Sequence, residues 1–277
     1  MPRPVEQPTR PMYSVRDAAL DLLDGAIQSL RDGVDDRAIH EARKACKRIR
    51  AALRLLRKSL GQAAYERENR ALRNAGRPFT VVRDAFVLQQ TLRELPSHSA
   101  TLDLRLAKDY QRARSRLESR RISVALGKLT QVRNLLAGQQ VAESELVSAA
   151  AGVRRIYRAG GKAFRKARSR DDEALHEWRK QIRYLLNQLE LLKSVFKISF
   201  KKLRHQADDL ADALGDDHDL GALMARLRRY KECDRALVKE MQARRCKLQA
   251  RALRIGEKLY RHSAKHVQGR IARKLSR

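Results

Sequence analysis

A histidine followed by closely spaced basic residues occurs twice in this chain, and this pattern is well suited to binding an anion. The copies begin at His40 and at His176, 136 residues apart, and both fit H-E-x-R-K-x-x-[KR]. At about 3.6 residues per helical turn, the basic side chains of each copy share one face, with apolar side chains behind them. Arginine can form two parallel hydrogen bonds to phosphate oxygens, and lysine supplies a point charge. Histidine donates a hydrogen bond and gains a positive charge if it is protonated beside the anion.

A third basic face lies on the helix before His176, with four cations at spacings of three and four residues. Like charges at these spacings destabilise a helix by about 0.2–0.5 kcal/mol per pair, and a bound polyanion would offset that repulsion. One basic face is usually only solvated, but its repetition in both halves favours binding. The predicted binding residues are His40, Arg43, Lys44, Lys47, Arg50 and Arg54; Arg155, Arg158, Lys162 and Arg165; and His176, Arg179, Lys180 and Arg183.

The charge of the whole chain indicates the same kind of partner. Of 277 residues, 62 are Lys or Arg and 32 are Asp or Glu, which gives a formal net charge of +30. Such a surplus attracts nucleic acid, polyphosphate or an anionic membrane face. Because only 5% of the residues are aromatic, few rings are present for stacking bases, and affinity must rest on charge.

The cysteine spacing and the lack of long apolar runs indicate the cellular location of the protein. Cys46, Cys233 and Cys246 lie far apart, which argues against a disulfide framework or a thiolate metal site. No apolar run approaches the roughly 20 residues needed to span a bilayer, and the N-terminus has no signal-like segment. We therefore predict a cytoplasmic protein without a membrane span.

The elements that carry the basic faces are predicted to be helices. Beyond residue 11 the only prolines are Pro78 and Pro96, and an interior proline costs a helix about 3 kcal/mol. No sustained period-two alternation indicates a sheet. We predict an all-α fold of two antiparallel helical bundles. The predicted helices span residues 12–31, 35–59, 62–75, 78–94, 101–136 (two helices), 141–169, 172–196, 199–214, 217–232 and 234–268.

Two matched segments indicate an internal repeat. Besides the histidine motif, residues 79–84 correspond to residues 214–219, in the same order along the chain. The repeat predicts bundles related by a pseudo-two-fold axis. Asp84 and Asp219 hold matching positions and are predicted to orient arginines before a ligand arrives, with an ordinary ion pair as the alternative. The predicted units are a flexible Pro-rich tail at 1–11, a first bundle at 12–140 and a second at 141–277.

Together these segments resemble the CHAD family, the conserved histidine α-helical domain. The likeness is strongest at VRRIYRAGGKAFRKAR, LHEWRKQIRYLLNQLELL and LADALGDDHDLGAL in the second half, with IHEARKACKRIRAALRLL and VVRDAFVL in the first. It covers about residues 15–270, so the chain looks like a stand-alone CHAD domain. The resemblance implies two related bundles and a basic central surface that binds inorganic polyphosphate. It places the family's basic positions on His40, Arg43, Lys47, Arg50, Arg54, His176, Arg179, Lys180 and Arg183.

Three features of this chain depart from the family pattern. Lys44 stands where the family usually has an aliphatic residue, and Thr80 replaces the glycine seen at Gly215. The helix before His40 is acidic, whereas its counterpart before His176 is basic. We therefore expect the second half to hold more of the ligand.

Enzymatic interpretations have less support. Asp208, Asp209 and Asp212 spell the DDxxD motif with which isoprenoid synthases hold magnesium and diphosphate. Those enzymes also need a deep aromatic-lined cavity, and this chain is poor in rings. On a helix of a very basic protein, such aspartates more often meet neighbouring arginines.

Metal and nucleophile motifs are also incomplete. Glu173 and His176 have the ExxH spacing of di-iron bundles, but Arg37 stands at the matching position before His40. No string typical of a catalytic nucleophile or a P-loop occurs. We predict a non-enzymatic protein with no cofactor and no bound metal. Three further histidines are interpreted as surface residues: His205, His262 and His266.

Our hypothesis is a cytoplasmic module that binds inorganic polyphosphate or a similar polyanion. A location on polyphosphate or storage granules is compatible with this activity, although nothing in the sequence requires it. Nucleic-acid binding is the main alternative, because a charge of +30 attracts RNA or DNA as well. A magnesium-dependent enzyme acting on phosphate chains is a third. A long anion can touch both histidine helices only if they converge on one surface.

Overall fold

The chain is described here from a computed structural model that covers residues 13–97, 99–139, 145–198, 200–231 and 234–275. Within these ranges it forms eleven helices and no strand, which confirms the all-α prediction. The helices are α1 (Val15–Asp32), α2 (Asp36–Leu55), α3 (Arg57–Leu60), α4 (Gln62–Arg93), α5 (Ala100–Ser115), α6 (Ser119–Ala137), α7 (Glu145–Ala167), α8 (Asp172–Phe196), α9 (Lys201–Tyr230), α10 (Arg235–Leu259) and α11 (Ala264–Leu275). The predicted tail at 1–11, the predicted boundary at residue 140 and Cys233 lie outside the described residues.

Two predicted breaks between helices are wrong. α4 runs through Pro78, and α9 runs through Gly215. Buried side chains on either side of Pro78, Ala75 and Phe79, anchor α4 in the core, so tertiary packing offsets the missing hydrogen bond. Local sequence cannot show this, because the stabilising contacts come from other helices.

Two predicted helices each form two. The predicted segment 35–59 contains α2, which ends at Leu55, and α3, which begins at Arg57. The predicted segment 234–268 ends as α10 at Leu259, and α11 begins at Ala264. The hydroxyl of Tyr157 lies 2.6 Å from the carbonyl oxygen of Leu259 and 3.1 Å from that of His262. This phenol satisfies carbonyl groups that the end of α10 leaves open, so a tertiary contact stabilises the turn.

The two halves use the same order of helix contacts. In the first half α1 packs on α2, α2 on α4 and α4 on α5; in the second, α7 packs on α8, α8 on α9 and α9 on α10. α6 lies against α1 as α11 lies against α7. Between the halves, α2 contacts α8 and α4 contacts α9. The helices that carry His40 and His176 are therefore neighbours at the centre of the molecule.

Two buried apolar clusters hold these helices, and each draws residues from both halves. The larger cluster includes Ile49 and Phe79 from the first half and Trp178 from the second. The smaller joins the later parts of α4 and α9, through Leu92 and Leu223, to α5 and α10. Burying such a side chain stabilises the fold by about 1.5–3 kcal/mol, so the junction of the halves is well anchored.

Glycines inside helices make room for an aromatic cluster behind α8. A Cβ atom at Gly160 would overlap the hydroxyl of Tyr260, and one at Gly256 would lie 2.6 Å from the ring of Trp178. Phe164 joins these rings, with its centroid 5.1 Å from that of Trp178 and 5.7 Å from that of Tyr260. The cluster fixes the apolar face of α8, and therefore the position of its basic face.

Candidate anion-binding surface

The basic faces of α2 and α8 meet at the centre of the molecule. Burial, together with the charges of Arg43, Arg179 and Arg183, lowers the pKa of Lys47 to about 8, and Asp84 only partly opposes the shift. Part of the Lys47 side chain is exposed, yet cations from both helices act on its ammonium group. We call the set Arg43, Lys47, Arg179 and Arg183 the central basic surface. The two histidine helices thus converge as polyanion binding requires.

Each half holds one central arginine against a carboxylate of its own long helix. Nη1 of Arg43 lies 3.3 Å from Oδ1 of Asp84 and donates to the carbonyl oxygen of Thr80 at 2.9 Å. Nη2 of Arg179 lies 3.8 Å from Oδ1 of Asp219. The two pairs match in the two halves, so the predicted partners are brought together. Their orienting role remains a prediction.

Cations and carboxylates from both halves act on Arg179 at this junction. The pKa of Arg179 is lowered, chiefly by burial, and Arg183 and Arg43 act in the same direction. Asp219 and Asp84 act against the shift without cancelling it. Because guanidinium groups stay charged in proteins, the empty surface keeps several closely placed positive charges. An anion bound there would reduce their mutual repulsion.

Both motif histidines have lowered pKa values. Burial and nearby cations hold the pKa of His40 and of His176 below the usual 6.5. Glu41 and Glu177 oppose these shifts without cancelling them. The groups that lower the pKa with burial are Arg83, Lys44 and Lys47 for His40, and His218, Arg179 and Lys180 for His176. Both imidazoles are therefore largely neutral at pH 7 and would gain a proton when an anion offsets the cations.

A small cavity beside His176 contains residues that the sequence did not single out. The cavity has a volume of about 190 Å³, and its lining includes His176, His218 and Arg245. The imidazole centroids of His176 and His218 are 5.5 Å apart. Nε of Arg245 donates to Oδ1 of the buried Asp217 at 2.9 Å. This pair fixes one wall of the cavity.

A sequence signal existed for one of these residues. His218 stands at the position that matches Arg83 in the internal repeat, and both act on a motif histidine. Arg245 comes from α10, outside both matched segments, so no local pattern pointed to it.

Gly215 leaves space for a central arginine. A Cβ atom there would lie 3.1 Å from Nη2 of Arg183, and the same nitrogen donates to the carbonyl oxygen of Ala211 at 3.2 Å. The guanidinium of Arg183 is thus seated against the backbone of α9. At the matching place in the first half, Thr80 bonds through its hydroxyl to the carbonyl oxygen of Gly76 at 3.1 Å.

Farther along α2, two predicted arginines gather around Tyr184 of α8. The guanidinium carbon of Arg54 lies 3.7 Å from the centroid of the Tyr184 ring, a cation–π contact. Nη2 of Arg50 lies 3.4 Å from the Tyr184 hydroxyl, and its Nε donates to Asn69 at 2.9 Å. These arginines extend the positive surface, but each is already engaged with neighbouring groups.

Lys44 and Lys180 differ from the central cations because each pairs with a glutamate of its own helix. Nζ of Lys44 is 3.6 Å from Oε1 of Glu41, and Lys180 forms an ion pair with Glu177. Both lysines are exposed, so these pairs reduce their charge only modestly. They remain at the edge of the site.

The third basic face is not brought into the central basic surface by any described contact. Nη2 of Arg155 donates to the carbonyl oxygen of Arg54 at 3.0 Å, which places it at the end of α2. The other three residues, Arg158, Lys162 and Arg165, are exposed. No hydrogen bond or ion pair between described residues joins their side chains to the central cations. Their predicted role in binding is untested.

Two of the three DDxxD aspartates lie near basic side chains. Asp209 lies 3.5 Å from His205, and Asp212 lies 4.0 Å from Arg183 at the edge of the central basic surface. Within the described ranges, no three or more His, Cys, Asp or Glu side chains are grouped as metal ligands. The predicted surface histidines are exposed: His205, His262 and His266.

No helix in the described part of the chain is both long enough and apolar enough to cross a bilayer.

Comparison with known proteins gave one family and a similar solved structure. The family model described as "CHAD domain" matches residues 15–228. The crystal structure of the CHAD domain from the plant Ricinus communis is similar with a TM-score of 0.58 and 15% sequence identity. That similarity covers 96% of this chain and 97% of the plant chain. Among curated proteins no match was found. At this level of identity the solved structure shows a shared fold alone.

Proposed function

This chain belongs to the CHAD domain family, and from that membership we propose that its central basic surface binds inorganic polyphosphate. The main supporting observation is that α2 packs against α8 with their cations close together: burial and the charges of Arg43, Arg179 and Arg183 lower the pKa of Lys47 to about 8. Cations from both halves are held together although they repel one another. A polyanion lying across α2 and α8 would relieve that repulsion, and polyphosphate carries its charge in a flexible line.

The order of contacts along α2 and α8 supports a linear ligand. Near the histidine ends of the helices, the charge of Arg43 repels that of Arg179. Farther along both helices, Arg54 lies over the ring of Tyr184. The two basic faces therefore run in the same direction. A chain of phosphates can contact both along its length, so we expect affinity to rise with chain length.

Polyphosphate suits this surface better than a single-stranded nucleic acid. At the junction of α2 and α8, the ring of Tyr184 is already covered by the guanidinium of Arg54. Base stacking on exposed rings supplies much of the affinity of proteins that bind single strands. A ligand made only of phosphates needs no such ring.

The proposal is tested by reversing the charge of two central arginines. Binding of fluorescently labelled polyphosphate is measured by anisotropy at several salt concentrations, since affinity for a polyanion falls steeply with salt. Arg179→Glu with Arg183→Glu should weaken binding by at least about tenfold and flatten the salt dependence. Arg228→Glu with Arg229→Glu, on the exposed last turn of α9, changes the net charge equally and is the matched control. Equal losses in both variants would refute a specific surface.

Competition separates polyphosphate from nucleic acid as the ligand. Long-chain polyphosphate should displace duplex DNA from the protein at equal phosphate concentration. The reverse order of displacement would favour a nucleic-acid-binding protein.

We propose that binding occurs without turnover. Polyphosphate incubated with the protein and Mg²⁺ should keep its length on a gel. Shortening that disappears in Asp209→Asn would instead support an enzyme that uses the DDxxD aspartates. A cytoplasmic location, with association to polyphosphate granules, would accompany the binding activity and can be tested by imaging the tagged protein.

A further inference from the structure

A second strongly basic site lies in a cavity formed by α7, α9, α10 and α11. Its volume is about 820 Å³, within the range of small-molecule sites, about 300–1,000 Å³. The described residues that line it include six Lys or Arg and no Asp or Glu. The six are Lys201, Lys202, Lys258, Arg261, Arg270 and Lys274. None belongs to the three basic faces, so this cavity is distinct from the central basic surface.

The floor of the cavity is apolar. Five buried side chains contribute to it: Tyr157, Phe200, Leu259, Val267 and Ile271. The Tyr157 hydroxyl is engaged with the carbonyl oxygen of Leu259 at 2.6 Å. The ammonium group of Lys274 lies 5.2 Å from the centroid of the Phe200 ring. An apolar surface of aromatic and aliphatic side chains thus lies beneath a rim of cations.

The start of α9 adds to the positive potential. α9 begins at Lys201, and among the described residues no side chain caps this end. Its first turn contains no acidic residue. The free N–H groups at a helix start are equivalent to roughly half a positive charge and favour an anion. Among the described residues no acidic side chain lines the cavity, so the helix end adds to a positive lining.

We propose that this cavity binds an anionic amphiphile with a single alkyl chain. Its phosphate or carboxylate head would lie among the six cations and the start of α9, and its chain would cover the apolar floor. Inorganic polyphosphate fits less well, because it would leave the apolar floor in water. A neutral lipid fits less well, because its head offers no negative charge to the cations that line the cavity.

Dodecyl phosphate below its critical micelle concentration is the probe, with binding to the full chain measured by calorimetry. It should bind at least about tenfold more tightly than butyl phosphate, because its longer chain buries more apolar surface. Dodecyl maltoside, which has the same chain and a neutral head, should not bind. Butyl phosphate binding as tightly as dodecyl phosphate would overturn the proposal.

Variants locate the site. Lys202→Glu with Arg270→Glu should weaken dodecyl phosphate binding at least about tenfold, whereas Lys239→Glu with Lys247→Glu, two exposed lysines elsewhere on α10, should not. Val267→Asn should weaken binding of dodecyl phosphate and leave butyl phosphate unchanged. Far-UV circular dichroism checks that each variant folds. Unchanged binding in the Lys202 and Arg270 variant would overturn the proposal.

Two further arms separate this site from other anion sources. Saturating polyphosphate, or Arg179→Glu with Arg183→Glu, should change dodecyl phosphate affinity by less than about twofold, since the sites are distinct. Displacement by polyphosphate would assign the amphiphile to the central basic surface and overturn the proposal. Binding to anionic vesicles without binding of monomeric dodecyl phosphate would also overturn it, in favour of a membrane-surface contact. The proposed function fails independently, if polyphosphate does not bind.

Discussion

Arg43 on α2 lies close enough to Arg179 on α8 to act on its charge: burial is the main cause of the lowered pKa of Arg179, and Arg43 lowers it further. The two arginines hold the same position in the two histidine motifs, and each is near its own carboxylate, Asp84 or Asp219. The fold therefore brings equivalent cations of the two halves together, although nearly 140 residues separate them. Repulsion between these cations disfavours the free protein, and under the proposed function a bound polyanion would offset it, which has measurable consequences.

Lys47→Met should stabilise the empty protein. The folded-state pKa of Lys47, about 8, is below the ordinary value of 10.5, so the charged form is less stable in the folded protein than in the unfolded chain at pH 7. Because the side chain is exposed and solvent screens the repulsion, we expect the melting temperature of the free protein to rise by only about 1 °C, and the stabilisation by polyphosphate to shrink. Lys44→Met, at an exposed lysine paired with Glu41, is the control and should leave the free protein unchanged. A lower melting temperature in Lys47→Met would contradict the expected repulsion.

Affinity for polyphosphate should increase as the pH falls from 8 to 6. In the free protein, burial and cations lower the pKa of both His40 and His176. A bound polyanion offsets those cations and raises both values, so binding takes up protons between the free and bound pKa. Each histidine can contribute at most about tenfold per pH unit in that window. Calorimetry in buffers of different ionisation enthalpy measures the proton uptake.

Replacing both histidines by glutamine should flatten this pH profile. A wild-type profile that is already flat would remove His40 and His176 from contact with the ligand.

The two aspartates of the central ion pairs should respond differently from a nearby aspartate outside them. Asp84→Asn removes a negative charge but also releases Arg43, and we expect affinity to fall by about two- to fivefold. Asp212→Asn removes the same charge from a longer pair, 4.0 Å from Arg183. Arg183 keeps its hydrogen bond to the carbonyl oxygen of Ala211, so affinity should rise. Anisotropy titrations of both variants give the sign of each change. A rise in both would mean that Asp84 only repels the ligand and does not orient Arg43.

Sequence could predict the fold class and the two histidine helices, because their signals are local. Amphipathic spacing defined α8 to its ends, whereas α2 ends at Leu55, before the predicted residue 59. The repeat matched Asp84 with Asp219. Sequence could not predict that α4 continues through Pro78, since the contacts that hold that turn come from other helices. Spacing grouped the cations of α7 on one face, but it does not say which neighbour a face will meet.

Gly256→Ala should destabilise the fold although alanine favours helices. A Cβ atom at this position in α10 would lie 2.6 Å from the ring of Trp178 and 2.7 Å from that of Phe164. Overpacking of this kind typically costs about 1–3 kcal/mol, more than the roughly 1 kcal/mol that alanine gains over glycine in a helix. Gly25→Ala is the matched control, because Gly25 is exposed within α1 and a Cβ atom there meets nothing within 4 Å. Urea unfolding should show Gly25→Ala more stable than the parent protein and Gly256→Ala less stable. Since the same rings support α8, Gly256→Ala should also weaken polyphosphate binding, and unchanged stability and affinity would mean that the aromatic cluster can yield without moving the central arginines.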